Sequence, residues 1–162
     1  MKPVAIFRHS PTEGPGYFAA YLDARGIPWR LLSTCAGEPV PSDPRAFSGL
    51  TLMGGPMSVN DALPWIEPTL ALIRAAVAAE VPVLGHCLGG QLISKALGGR
   101  VGRNHVPEIG WHPVRKLPGA ATEQWLGDLP ETCIALQWHT ETFTVPAGAE
   151  PMLTSEHCEN QA

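Results

Sequence analysis

Short apolar runs alternate with helix-like spacings along the first hundred residues. Residues 4–7, 28–32 and 49–53 are each dominated by apolar side chains, a pattern typical of strands that are buried on both faces. Residues 17–25 instead carry apolar side chains at helical spacing, and Gly26 follows where a helix would end. This alternation predicts an α/β fold built on a mostly parallel sheet flanked by helices.

The same pattern continues beyond the third strand. A further helix is predicted from about Pro68, a residue that suits a first helical turn. Its apolar stripe is formed by Ile66, Leu70, Ile73 and Val77. Beyond residue 99 strand signals dominate, at residues 109–116, 134–138 and 143–145. The C-terminal part is therefore expected to be rich in strands.

One strand-like run ends at a cysteine between two glycines. Cys87 stands two residues from both Gly85 and Gly89, as in a turn that joins a strand to a helix within one or two residues. The sulfur then lies at a helix N-terminus, where N–H groups favour the thiolate and the N–H of Leu88 can face an oxyanion. Gln91, one helical turn later, is expected on the same helix face. This arrangement predicts a nucleophilic cysteine.

A second loop follows the preceding strand. Gly54 to Met57 come directly after residues 49–53, just as Cys87 comes after the next strand. Ligands of parallel sheets bind beyond the carboxyl ends of the strands. We therefore expect the two loops to converge at one edge of the sheet.

Composition narrows the possible functions. The 162 residues suit one domain, and 11 basic against 15 acidic residues leave a net charge of −4 with no basic stripe, so no nucleic-acid partner is expected. No apolar stretch is long enough for a membrane span or a signal peptide, which favours a cytoplasmic location. The four cysteines are widely spaced, so we expect reduced thiols and neither a metal nor another cofactor.

Five blocks of sequence together resemble the class I glutamine amidotransferases, in particular the stand-alone branch related to the glutaminase domain of GMP synthetase. The blocks are MGGPMSV (53–59), GHCLGGQ (85–91), EIGW (108–111), QWHTETF (137–143) and CENQA (158–162). The resemblance spans the chain nearly end to end and implies a flavodoxin-like three-layer α/β fold.

The resemblance also implies a reaction. The Cys87 thiolate would attack the side-chain amide of L-glutamine, form a thioester and release ammonia to an unknown acceptor or synthetase partner. The N–H groups of Gly55 and Leu88 would form the oxyanion hole. The implied substrate-binding residues are Gly54, Pro56, Met57, Gln91, Trp138, His139, Thr140 and Glu141.

Two interpretations of His139 and Glu141 remain open. They fit the Gln-x-His-x-Glu string that carries the family's general base. The order of the blocks instead places them in an earlier loop that contacts the amino-acid end of glutamine, before the CENQA block. In that case residues 1–162 form one glutamine amidotransferase domain that is incomplete at its C-terminus, with the base pair beyond Ala162.

Three alternative functions are also compatible with the sequence. A γ-glutamyl hydrolase would use the same elbow on γ-glutamyl bonds. A glyoxalase-like or peptidase-like cysteine hydrolase would want an acidic residue beside Cys87 and has less need of Gln91. A catalytically inactive glutamine-binding or regulatory subunit would need no general base.

Overall fold

The computed structural model describes all residues from Met1 to Ala162. The chain forms two compact units, Met1–Leu97 and Gly98–Ala162, which are described in turn.

The first unit is built on a four-stranded parallel sheet. The strands stand in the order β2-β1-β3-β4. Their bounds are Val4–Arg8 (β1), Trp29–Ser33 (β2), Gly49–Leu52 (β3) and Val83–Gly85 (β4). The predicted mostly parallel α/β architecture is confirmed.

Three helices connect these strands. They are Gly16–Ala24 (α1), Ile66–Ala78 (α2) and Leu88–Ala96 (α3), with short 3₁₀ turns at Thr34–Ala36 and Pro44–Ala46. The longest of them has 13 residues, and no helix of the chain combines the length and apolarity that crossing a bilayer requires.

The core of this unit lies around the two central strands. All four residues of β3 are buried, as are the middle three of β1, which explains their continuous apolar character. Helix α2 starts at Ile66, so Pro68 lies inside its first turn as expected. Its predicted stripe is correct at Ile66, Leu70 and Ile73 and wrong at Val77, which is half exposed. Ala76 is buried instead, so the buried face is rotated slightly from the predicted stripe.

The second unit is dominated by a long antiparallel hairpin. Strand β5 (Val101–Lys116) pairs with β6 (Thr132–Phe143) and, at its end, with the short β7 (Leu153–Thr154). The predicted strands at 109–116 and 134–138 are segments of β5 and β6. The strand predicted at 143–145 is wrong, because Phe143 is the last residue of β6. Strand β7 and the helix Ala120–Leu126 (α4) were not predicted from the pattern, since both are too short to show periodicity.

One face of this hairpin is apolar and exposed. The cross-strand pairs are Ile109 with Trp138, Trp111 with Leu136, and Pro113 with Ile134. Trp111 and Trp138 are 72% and 75% exposed. The alternate residues of β5 face the other side and include the buried Glu108 and Val114. The unit therefore has its polar interactions and its exposed apolar side chains on opposite faces.

Helix α3 crosses the sheet at very short range. A Cβ built at Gly89 would lie 2.1 Å from the backbone oxygen of Leu52, and one built at Gly85 would lie 2.5 Å from the backbone of Gly89. No side chain fits at either position without moving main-chain atoms. The two glycines that flank Cys87 are therefore required by the crossing of the strand and the helix.

This crossing gives a testable prediction for neighbouring glycines of one helix. We expect Gly89→Ala to destabilise the chain by about 3 kcal/mol or more, because its methyl group would overlap β3. Gly90→Ala is the matched control: its nearest neighbour would be 3.8 Å away, and the better helix propensity should stabilise by up to about 1 kcal/mol. Urea unfolding measures both, and equal effects would contradict the close crossing.

Candidate functional site

Three loops follow the carboxyl ends of adjacent parallel strands in the first unit. His9 to Glu13 follow β1, Gly54 and Gly55 follow β3, and Cys87 follows β4. Because β1, β3 and β4 are neighbours in the sheet, these loops meet at one edge. The predicted convergence of the loops after β3 and β4 is seen, and the loop after β1 joins them.

Cys87 lies at the tip of the turn between β4 and α3. Its backbone has φ +53° and ψ −113°, and only one other non-glycine residue of the chain, Glu80, has a positive φ. Such a conformation is strained for a residue with a Cβ. The residue is exposed, and α3 begins directly after it at Leu88. The turn therefore presents the thiol outward at a helix N-terminus.

Opposing effects act on the Cys87 thiol. Although the residue as a whole is exposed, the surrounding protein partly shields the sulfur from water, which raises the pKa of the thiol above its ordinary value, and the negative charge of Glu13 raises it further. Hydrogen bonds from the N–H groups of Leu88 and Gly55 lower it. The expected preference for thiolate is wrong, because burial and Glu13 together outweigh the two N–H groups. Those N–H groups nonetheless point at the sulfur.

The glycine loop after β3 packs against the start of α3. Gly54 is buried, and a Cβ built at Gly55 would lie 2.5 Å from Met57 Sδ and 3.0 Å from Leu88 Cδ2. Pro56, which follows, is exposed. A side chain at position 55 would therefore displace its neighbours, so the main chain alone occupies this position.

Gln91 lies one turn into α3, and its N–H donates to the Cys87 carbonyl oxygen at 3.2 Å. Its side chain is buried rather than exposed. Its predicted contact with a ligand remains a prediction.

His9 lies beside the glycine loop, and sequence reasoning did not single it out. It is 1% exposed, stacks on Trp65 at 4.5 Å between ring centroids, and places Nδ1 2.9 Å from Thr34 Oγ1. Its Cβ lies 3.6 Å from a Cβ built at Gly55. Burial lowers the pKa of His9 to about 4, so the ring is neutral at physiological pH. Its position directly after β1 was the one feature of the sequence that could have identified it.

The other predicted site residues lie on β6, in the second unit. Trp138 and Thr140 are exposed, whereas His139 is mostly buried. His139 Nδ1 lies 3.1 Å from the Glu141 carbonyl oxygen, and Nε2 lies 3.2 Å from Glu108 Oε2, although not in hydrogen-bonding alignment. Both ring nitrogens of His139 therefore face groups of its own unit.

Glu108 is the centre of a buried polar cluster. Its two oxygens accept hydrogen bonds from Ser155 Oγ at 2.7 Å and Gln161 Nε2 at 2.6 Å. The donor atoms of Glu108, His139 and Cys158 lie within 4.8 Å of one another, and these are residue types that bind zinc. Both carboxylate oxygens of Glu108 already accept hydrogen bonds from the C-terminal segment. The cluster therefore links β5 to that segment without a metal ion being required.

Comparison with known protein sequences identifies a family model and several relatives that resemble this chain. Residues 32–162 match the family model of "Glutamine amidotransferase class-I". The chain is 28% identical over 158 residues to the glutamine amidotransferase-like protein YfeJ of Salmonella typhimurium, covering 94% of this chain and 66% of that protein. It is 40% identical over 117 residues to a GMP synthase of Paraburkholderia phymatum, covering 68% of this chain and 21% of that enzyme.

Solved structures give the same relationship. A glutamine amido transferase from Methylobacillus flagellatus superposes with a TM-score of 0.96 at 47% identity, covering 99% of this chain and 64% of that one. A glutamine amidotransferase from Thermotoga maritima superposes with a TM-score of 0.89 at 31% identity, covering 98% and 69%. The chain thus spans about two thirds of these structures and a fifth of the GMP synthase.

The buried His9 predicts an acid-sensitive stability. The unfolded chain protonates this histidine near pH 6.5, whereas the folded chain does so only near pH 4. The free energy of unfolding should therefore fall as the pH drops between these values, by about 3 kcal/mol from this group. His9→Phe keeps a ring beside Trp65 but does not titrate, so its urea unfolding should lose this part of the pH dependence. His86→Gln, at an exposed histidine, should retain it; a pH dependence shared by wild type and His9→Phe would contradict the assignment.

The Glu108 cluster gives a second prediction. Glu108→Gln should destabilise the chain by about 2 kcal/mol, because the new NH₂ group cannot accept the hydrogen bond that Ser155 or Gln161 donates to the carboxylate oxygen it replaces. Glu156→Gln is the control, since Glu156 is 87% exposed and should change stability by less than about 0.5 kcal/mol. Thermal or urea unfolding measures both variants, and similar values would show that the cluster contributes little.

Proposed function

This chain belongs to the class I glutamine amidotransferase family, and we propose that it releases ammonia from the side chain of L-glutamine with Cys87 as the nucleophile. One observation carries the proposal: the exposed Cys87 lies at a strained strand-to-helix turn, and the N–H groups of Leu88 and Gly55 point at its sulfur. The flavodoxin-like α/β fold and the family provide the context.

In the proposed reaction Cys87 loses its proton, and its sulfur attacks the amide carbon of glutamine. The amide oxygen becomes an oxyanion that accepts hydrogen bonds from Leu88 and Gly55, each worth about 3 kcal/mol of the barrier. The C–N bond then breaks, ammonia leaves with an added proton, and a thioester remains. Water cleaves the thioester to glutamate and restores the thiol.

We propose a substrate-binding role for two sets of residues, one in each unit. In the first unit these are Gly54, Pro56, Met57 and Gln91, and in the second unit Trp138, His139, Thr140 and Glu141. For His139, the contacts with Glu108 and Glu141 favour a role in holding the β6 residues over one as general base, because a base would have to leave the buried carboxylate.

The acceptor of the ammonia is proposed by analogy only. Some relatives are GMP synthases, and the relative from Methanocaldococcus jannaschii, 33% identical over 119 residues, is one of the subunits of such an enzyme. A separate synthetase chain would therefore be a suitable partner for this chain.

A second candidate function is favoured by Glu13. A Cβ built at Gly54 would lie 2.5 Å from Glu13 Oε2 and 3.6 Å from Cys87 Cβ, so an acidic group stands near the nucleophile. A glyoxalase-like or peptidase-like cysteine hydrolase would use such a group. A γ-glutamyl hydrolase and a binding-only subunit remain as alternative results of the following test.

We expect a diazo-ketone analogue of L-glutamine to alkylate Cys87 and glutamine to protect it, as read by peptide mass spectrometry. Cys87→Ser should abolish the labelling, because the nucleophile is lost. Cys35→Ser removes another exposed cysteine and should leave the labelling intact. Ammonia release by the full chain is measured in parallel.

The outcomes separate the candidates. Protected labelling with ammonia release supports the glutaminase, and protected labelling without release supports a glutamine-binding subunit. Release of the amine from γ-glutamyl peptides, with little release of ammonia from glutamine, supports a γ-glutamyl hydrolase. Labelling that glutamine does not prevent would contradict a glutamine site at Cys87.

A further inference from the structure

Glu13 places a carboxylate in the site, although no motif pointed to it. It lies in the loop between β1 and α1, where its N–H donates to the Ser10 carbonyl oxygen at 3.2 Å and closes a turn. Its Oε2 and the Cβ of Cys87 both lie within 4 Å of the position that a Cβ of Gly54 would occupy. The acidic group and the nucleophile therefore face the same space above the glycine loop.

A negative charge at this position opposes the proposed chemistry. The thiol must ionise and the amide oxygen must then become an anion, and both steps bring like charges together. Glu13 already contributes to the raised pKa of Cys87. The ion pairs Arg45–Asp43, His139–Glu108 and His157–Glu156 do not involve Glu13. A positive charge brought by the substrate would remove the conflict.

We infer that Glu13 binds the α-ammonium group of the substrate and so selects free amino acids over glutamine residues within a peptide chain. The inference rests on the proposed function. Glutamine carries its ammonium group three carbons from the amide carbon, which allows one end to contact Glu13 while the other reaches Cys87. In a peptide chain this nitrogen is acylated and neutral, so the carboxylate would stay unpaired beside the forming oxyanion.

A glutamine molecule thus neutralises Glu13 as it binds. Burial is the largest cause of the raised pKa of the Cys87 thiol, and the additional contribution of Glu13 weakens only when the correct ligand is present. In this way Glu13 disfavours attack on amides of molecules that lack the α-ammonium group and favours attack on the side-chain amide of free glutamine.

The test compares three reagents on the full chain. The diazo-ketone analogue of L-glutamine carries the ammonium group, its N-acetyl form does not, and iodoacetamide reports the reactivity of the thiol alone. The rate of Cys87 alkylation is followed by peptide mass spectrometry for wild type, Glu13→Gln and the control Glu67→Gln, which neutralises an exposed carboxylate of α2. Circular dichroism checks that each variant is folded.

We expect Glu13→Gln to lower the rate with the ammonium-bearing reagent by about 10- to 100-fold. Its rates with the N-acetyl form and with iodoacetamide should be unchanged or higher, and Glu67→Gln should behave like wild type. An equal loss with all three reagents would overturn the inference and assign Glu13 to the thiol itself. An unchanged rate with the ammonium-bearing reagent would also overturn it.

The wild-type rates distinguish this failure from failure of the proposed function. If wild type prefers the ammonium-bearing reagent and Glu13→Gln keeps that preference, only the role of Glu13 is wrong. If wild type shows no preference and glutamine gives no protection, the glutamine site itself is wrong and the inference falls with it.

Discussion

The first unit depends on the contact between helix α3 and the sheet. Gly89 lies so close to the Leu52 carbonyl that main chain meets main chain, and this contact allows the chain to pass from β4 into α3 within two residues. The abrupt turn strains the backbone at Cys87, which adopts a positive φ. The same constraint that compacts the unit therefore pushes a thiol outward, beside the first free N–H groups of a helix. The close crossing of α3 over β3 therefore determines both the packing of the unit and the position of the Cys87 thiol.

At the carboxyl edge of the parallel sheet, some groups favour ionisation of the Cys87 thiol and others oppose it. Two N–H groups favour negative charge on the Cys87 sulfur, while burial and Glu13 oppose it. The neighbouring histidine contributes no positive charge, since burial lowers the pKa of His9 to about 4. The net result is a raised pKa for the Cys87 thiol, which reduces the thiolate fraction and hence the reactivity of the sulfur.

Much of this architecture could be predicted from sequence, for physical reasons. Buried parallel strands appear in the sequence as apolar runs, and the glycines around Cys87 indicate a close crossing of main chains. The strands β1 to β4 and the turn at Cys87 could therefore be predicted. The hairpin was only partly predicted, because β5 pairs with β6 over sequence separations from 17 residues (Arg115 with Thr132) to 42 residues (Val101 with Phe143), and prolines and glycines interrupt its pattern. His9 and Glu13 were missed because only tertiary contacts give a buried histidine or a loop carboxylate its role. Val77 was wrongly predicted to be buried, because the spacing of apolar residues does not fix the exact rotation of a helix about its axis.

The exposed apolar face of the hairpin has an optical consequence. Trp111, Trp125 and Trp138 all belong to the second unit and are each at least 72% exposed, whereas Trp65 in the first unit is buried against a histidine ring that can quench it. Intrinsic fluorescence of the chain is thus weighted toward the second unit, with a smaller contribution from the half-buried Trp29 of β2, and should be red-shifted even in the native state. Helical ellipticity comes mainly from α1 to α3 in the first unit. The two signals therefore report on different halves of the molecule, and whether their melting curves coincide measures how cooperatively those halves unfold.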